Sequence, residues 1–216
     1  MRLPLAGVRH ALIVAPHPDD EVIAAAALIA VLKARGSHVA VVIVSDGAAS
    51  HPGSRRWPRG RLIAERRRES LRALRRLGVF AGDVRFLGLP DGAVHDHATT
   101  CRRRLRNIAL AMRADLIVGP AMTDAHPDHR AVARALRTVR SASRRLSYQV
   151  WPARGRERAR TRYVRVPGGC MAKRSLIAVH RTQLGAIRDD PAGFSIAPHE
   201  LAAFAHPVEA FVESMR

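Results

Sequence analysis

The chain has 216 residues, 47% of them hydrophobic and 25% charged. It is long enough to bury a core without disulfides, and its composition excludes a disordered or fibrous chain. Its 37 basic residues outnumber 18 acidic ones for a net charge of +19, and all but Lys33 and Lys173 are arginine. Such a charge points to nucleic acid, a membrane surface or an anionic substrate, or to an arginine-biased solvated surface. Aromatics are only 4% of the chain and are not interleaved with the arginines, so a stacking platform for single strands is not expected.

His10–Pro16 is an apolar run ending at a proline and predicts a buried strand. Asp19-Asp20-Glu21 opens an Ala-rich helix to Arg35, stopped by Gly36. His38–Val44 predicts a second buried strand, closed by Ser45-Asp46-Gly47; Ala48–Gly60, rich in Ser, Pro, Gly and Arg, reads as a mobile loop. Leu62–Leu77 predicts a helix with Leu71, Leu74 and Leu77 on one side and Gly78 at its end. A third strand over Asp83–Leu87 leads into the turn Gly88–Gly92, then a helix over Thr99–Arg113 and a fourth strand over Asp115–Gly119. Ala125–Arg140 is a loop turning into a helix, and Leu146–Trp151 and Tyr163–Val166 read as strands around a basic loop, Arg154–Arg162. Gly169–Ile187 reads as helical, followed by a short helix near His199–Ala205 and a strand at Val208–Val212.

Continuously apolar strands alternating with helices mean an α/β domain whose mostly parallel sheet is covered on both faces. Nothing divides the chain, so residues 1–216 are expected to form one domain. Cys101 and Cys170 are far apart, and both read as small core residues. No signal peptide is apparent, and the longest apolar run, Val22–Leu32, is shorter than the roughly 20 residues a membrane span needs. The expected location is the cytoplasm.

Two segments carry chemistry: Pro16-His17-Pro18-Asp19-Asp20-Glu21 after the first strand, and Ala125-His126-Pro127-Asp128-His129 after the fourth. Both fall at the carboxyl ends of parallel strands, where open α/β sheets bind ligands. His17 with Asp20, and His126 with His129, are three residues apart and can each converge on one point. Imidazoles and carboxylates are zinc ligands, and Asp19, beside Asp20, is placed to act as a general base. Asp46 follows the second strand and either reaches the same site or serves the turn. Trp57 either stacks on a sugar face or anchors its loop. His51, His95 and His97 read as solvated loop residues, and Glu21 as a helix-start residue with a supporting hydrogen bond.

The chain resembles the PIG-L/LmbE-type zinc-dependent N-deacetylases. The resemblance rests on the two segments above. It is supported by Arg66-x-x-Glu69, Phe86-Leu87-Gly88-Leu89-Pro90-Asp91-Gly92, Tyr148-Gln149-Val150-Trp151, Lys173, His180-Arg181-Thr182-Gln183 and the tail Pro207–Phe211. It implies a Rossmann-like three-layer sandwich with helices on both faces of a mostly parallel sheet. It implies that His17, Asp20 and His129 hold Zn2+, with Fe2+ as the alternative ion, and that Asp19 is the general base. His126 matches a protonated histidine that stabilises the oxyanion or protonates the leaving amine, with a fourth metal ligand as its competing role. Asp128 matches a carboxylate that orients His126, while Arg66 and Asp91 match residues lining the substrate pocket.

The activity so implied is removal of an N-acetyl group from an N-acetylglucosamine-type amino sugar or its conjugate. The substrate is a small molecule, with an anionic conjugate favoured if the basic loops steer it. An amidase for a larger acyl group is the near alternative, and a basic nucleic-acid binder the distant one. No nucleic-acid partner is expected, and homo-oligomer formation is common for this kind of fold.

Overall fold

The computed structural model describes residues 1–139, 142–152 and 160–213. Its described residues form a seven-stranded sheet. In chain order the elements are β1 (His10–Ala15), α1 (Asp20–Ala34), β2 (His38–Ser45), α2 (Arg59–Arg76), β3 (Val84–Leu89), α3 (Ala98–Ala111) and β4 (Leu116–Pro120). They continue with α4 (Pro127–Arg137), β5 (Arg144–Tyr148), β6 (Arg160–Arg165), α5 (Gly169–Ile177), α6 (Pro198–Phe204) and β7 (Val208–Glu213). The strand order is β3-β2-β1-β4-β5-β7-β6. The first five strands are mutually parallel, and β7 runs antiparallel to both β5 and β6.

The alternation of side chains along β1 builds two cores. Ala11, Ile13 and Ala15 pack with Leu28, Leu32 and Leu74 of α1 and α2 on one face. Leu12 and Val14 pack with Leu105, Val132 and Leu136 of α3 and α4 on the other. The outcome is the expected three-layer sandwich. Helix α1 is apolar nearly all round because it is enclosed all round. Its Leu28 and Ile29 face the sheet core, while Val22, Ile23 and Ala26 pack against Leu176 and Ile177 of α5.

The chain leaves β1 toward β2 on one side and later adds β4 on the other. Strand order therefore reverses between β1 and β4, and their carboxyl ends open a crevice at that switch point. The two His-Pro-Asp segments follow these two strands directly.

The structure departs from the sequence reading in several places. The 48–58 loop is pinned rather than loose. Gly53 N–H donates to Asp190 at 2.8 Å, and the Asp189 carboxylate accepts from Ser54 Oγ and Arg56 N–H, each at 2.8 Å. His51 is buried there, not solvated, and a side chain at Gly193 would collide with its ring. The helix expected over Gly169–Ile187 ends at Ile177; Arg181–Gln183 forms a separate turn, held where Glu69 accepts from Thr182 N–H at 3.0 Å and from its hydroxyl at 2.5 Å. Strand β5 ends at Tyr148 because the next N–H groups, of Val150 and Trp151, turn to the Asp124 carboxylate. Cys101 is buried as expected, but Cys170 is exposed. Residues 154–159 of the basic loop lie outside the described residues, and Arg160–Arg162 already belong to β6. No helix of the described residues is long and apolar enough to cross a membrane.

Candidate active site

At the β1–β4 crevice three donor atoms form a small triangle. His17 Nδ1 lies 3.2 Å from Asp20 Oδ2 and 3.3 Å from His129 Nε2, and His129 Nε2 lies 3.1 Å from Asp20 Oδ2. Nitrogen and oxygen ligands about 2.0–2.1 Å from a tetrahedral ion stand roughly 3.3 Å apart, so this triangle has the dimensions of one face of a zinc-type coordination shell. The donor set therefore fits a divalent ion.

The outer nitrogen of each histidine meets a carboxylate. His17 Nε2 lies 3.1 Å from Asp91 Oδ1 and 3.2 Å from Asp128 Oδ2, and His129 Nδ1 lies 3.1 Å from Asp124 Oδ2. Such carboxylate–histidine contacts fix the tautomer and ring orientation of metal-binding histidines. Asp128 is itself held by the N–H groups of Gly92 at 2.8 Å and Val94 at 3.1 Å.

The electrostatics also call for positive charge. Burial opposes protonation of His17, but hydrogen bonds to Asp128, Asp20 and Asp91 outweigh it and raise its pKa well above the usual value. His129 is likewise raised to about 9 against burial, by Asp20 and Asp124. Asp20 is held well below the carboxylate range: burial pushes it up, and the two imidazoles pull it further down.

Asp19 occupies an unusual backbone position, φ 125°, a region that side chains rarely adopt. Glu21 Oε2 accepts its N–H at 2.9 Å, and Arg66 Nη2 donates to Pro18 O at 2.6 Å and to Asp19 Oδ2 at 3.3 Å. Arg66 also donates to Gly47 O at 2.8 Å, and Gly47 at φ 70° has no side chain to displace the guanidinium. Burial raises the Asp19 carboxyl to about 8; Arg66 opposes the rise, and Asp20 and Glu21 reinforce it.

Two expected roles need correction. The Asp128 carboxylate orients His17, not His126; it is the Asp128 backbone N–H that reaches His126, donating to Nδ1 at 3.2 Å. A ring nitrogen that accepts an N–H carries no proton, so His126 is neutral and its proton sits on Nε2. Its pKa is lowered to about 4, first by burial and then by His17 and His129, which outweigh Asp20 and Asp128.

A cavity of about 260 Å³ opens over the cluster. His17, Asp19, Asp20, Arg66, Asp91 and His126 line it. Asp46 is not among the lining residues. Its carboxylate accepts from the N–H groups of Ala48 at 3.0 Å and Asp91 at 3.3 Å and pairs with Arg59, so it organises the turn after β2. Trp57 is also outside the cavity, with the Arg61 guanidinium 4.2 Å over its ring.

Sequence reasoning missed Asp124. Its one local signal is an aspartate two residues before His126, whose N–H it accepts at 2.9 Å in an Asx-type turn. It also missed the cavity-lining Ser50, Phe194 and Phe204, which tertiary packing alone brings there.

The sheet order and this His–Asp cluster define an open α/β protein with its site at the topological switch point. The chain belongs to the PIG-L family: the family model described as GlcNAc-PI de-N-acetylase matches residues 12–140, more than half of the chain and the part that carries both His-Pro-Asp segments. Comparison with curated protein sequences gave no match. Among solved structures, N,N'-diacetylchitobiose deacetylase from Pyrococcus horikoshii is similar at TM-score 0.73 and 22% identity, over 98% of this chain and 85% of that one. The A40926 pseudoaglycone deacetylase Dbv21 is similar at TM-score 0.71 and 21% identity, over 96% and 98%. GalB, the 4-carboxy-2-hydroxymuconate hydratase from Pseudomonas putida KT2440, is similar at TM-score 0.69 and 16% identity, over 95% of each chain. At these identities the likeness establishes the fold, and the fold serves more than one chemistry.

Proposed function

We propose that this protein is a metal-dependent hydrolase that removes the N-acetyl group from an N-acetylglucosamine-type amino sugar or its conjugate. The observation that carries the reading is the donor triangle of His17, Asp20 and His129, of which His17 and Asp20 line the cavity together with Asp19. The family match and the deacetylases that share the fold support it. His17, Asp20 and His129 would hold the ion, and two imidazoles with one carboxylate suit zinc or ferrous iron. When bound, such an ion supplies the Lewis acidity that makes water nucleophilic at neutral pH and polarises an amide carbonyl.

The chain's own residues supply the remainder. Arg66 holds Asp19 Oδ2, which leaves Oδ1 to take the proton of the attacking water and to return it to the departing amine nitrogen. Neutral His126, with Nδ1 occupied by the Asp128 N–H, offers Nε2–H as a donor to the oxygen on which negative charge develops. Asp91 and Asp128 keep the His17 ring in place, and Asp124 does the same for His129.

The test is acetate release from a panel of N-acetylglucosamine conjugates by protein stripped with a chelator and then reloaded with zinc or ferrous iron. Reloading is expected to restore turnover. Protein with verified bound metal and no acetate from any conjugate would refute the reading, and release of a longer acyl group would move it to a larger N-acyl substrate. The variant His126→Ala is expected to retain its metal and lose about 10²–10³ in kcat. Asp124→Asn is expected to weaken metal affinity by about 10- to 100-fold, read by competition with a chromogenic chelator; unchanged affinity would remove Asp124 from the supporting shell.

A further inference from the structure

The cavity has two unlike sides. Its charged lining residues are the floor cluster already described. The one arginine or lysine among the described lining residues, Arg66, is engaged by Pro18 O, Gly47 O and Asp19. The other side is apolar: Ile23 of α1, Val150 and Trp151 after β5, Phe194 and Ile196 of the 189–196 loop, and Phe204 of α6. Trp151 stands edge-to-face with both phenylalanines, at ring-centroid distances of 6.0 Å to Phe194 and 5.5 Å to Phe204. Three rings set this way make a concave corner rather than a single flat face. A pyranose carries hydroxyls around its rim, and the six side chains of this corner offer them one donor, the Trp151 indole N–H; Ser50 and Gln183, which also line the cavity, are paired with each other at 3.4 Å.

Most of the corner comes from segments that follow the span of the family match. Of its six residues only Ile23 falls within residues 12–140, the span of the family match; the other five come from three later segments. Phe194 is 38% exposed. Apolar area left open to water is recovered on binding at about 25 cal/mol per Å².

We propose that the amino-sugar substrate carries an uncharged apolar aglycone, alkyl or aryl, that lies against Trp151, Phe194 and Phe204 while the acetamido group sits over the His17–His129 floor. The inference rests on the deacetylase reading for the position of the sugar, and it selects an apolar conjugate over an anionic one.

The experiment compares the metal-loaded enzyme on the methyl glycoside, the octyl glycoside and the 1-phosphate of N-acetylglucosamine. The octyl glycoside is expected to exceed the methyl glycoside in kcat/KM by at least about tenfold, as roughly 1.4 kcal/mol of added burial requires. Phe204→Ala and Trp151→Ala are expected to collapse that ratio toward one. An equal ratio in the wild type, or preference for the 1-phosphate, would overturn the proposal. Binding is read separately from turnover in a Trp57→Phe background, where Trp151 is the sole tryptophan fluorophore. Tighter binding of the octyl than the methyl glycoside without acetate release would uphold the apolar corner and refute deacetylation. Equal binding of the two would refute the corner whatever the turnover.

Discussion

Replacing Asp19 with glycine is expected to abolish turnover and raise the melting temperature together. The kinetic half follows from its position: a general base in proton-transfer reach contributes about 10²–10⁴ in rate. The stability half follows from its backbone. A non-glycine residue at φ 125° stores strain of about 1–3 kcal/mol, and glycine adopts that conformation freely. Glycine's greater freedom in the unfolded chain returns about 0.4–1 kcal/mol of that gain, and the lost Asp19 contact leaves Arg66 with its two carbonyl partners. Relief of an unfavourable buried charge adds to the gain. With its carboxyl raised to about 8, Asp19 costs stability increasingly from its unfolded pKa near 4 up to its folded value. The net expectation is a rise of about 2–6 °C at pH 8, shrinking toward pH 4, measured by calorimetry on chelator-treated protein. Asp19→Asn provides the control, because it removes the base but keeps a side chain at the strained position. It should lose turnover equally and gain less in melting temperature. A glycine variant that melts below wild type would show that Glu21 and Arg66 do not hold Asp19 against strain.

The strained residue also shows how much of the site was legible in the chain. Both His-Pro-Asp segments were readable, because each follows an apolar strand whose burial on two faces leaves a simple pattern. The convergence of His17, Asp20 and His129 follows from parallel β1 and β4 being neighbours, a consequence of strand order that alternation of strands and helices already favoured. The partner of Asp128 was not legible. Its proximity to His126 in the chain suggested one histidine, whereas helix α4 turns its side chain across the crevice to His17, 111 positions away. The order of the 48–58 loop was hidden for the same reason, since Asp190 binds Gly53 across 137 positions. Composition marked that loop as Ser-, Pro- and Gly-rich, but order came from carboxylates in a distant turn. The apolar corner likewise arises from side chains in several segments, none of which carries a periodic signal of its own.

Lys173→Met is expected to be the most destabilising single change away from the crevice. Lys173 Nζ lies 2.9 Å from Glu209 Oε1, and both side chains are almost fully buried. Glu209 also accepts the N–H groups of Ala27 at 2.9 Å and Leu28 at 3.1 Å, so the β7 carboxylate ties the middle of α1 to the sheet. Removing one partner of a buried ion pair costs about 3–5 kcal/mol because the other charge is left uncompensated. For a chain of this length that is a fall of roughly 6–20 °C in melting temperature. The loss has a pH signature. Burial already raises the Glu209 pKa, with Lys173 opposing the rise, and the variant removes that opposition. A carboxyl whose folded pKa exceeds its unfolded value adds no penalty below the unfolded value, about 4.3, and its full penalty above the folded one. The gap between variant and wild type should therefore be narrowest near pH 4 and widen toward neutrality. Lys173→Met combined with Glu209→Gln should lose less than Lys173→Met alone, because a neutral amide still accepts from α1 without a stranded charge. A pH-independent gap, or a double variant no better than the single, would mean that lost packing of the lysine stem rather than an unpaired carboxylate sets the cost. Because α1 begins at Asp20, a loosened helix should also lower metal affinity in the single variant, and chelator competition at neutral pH reads that coupling directly.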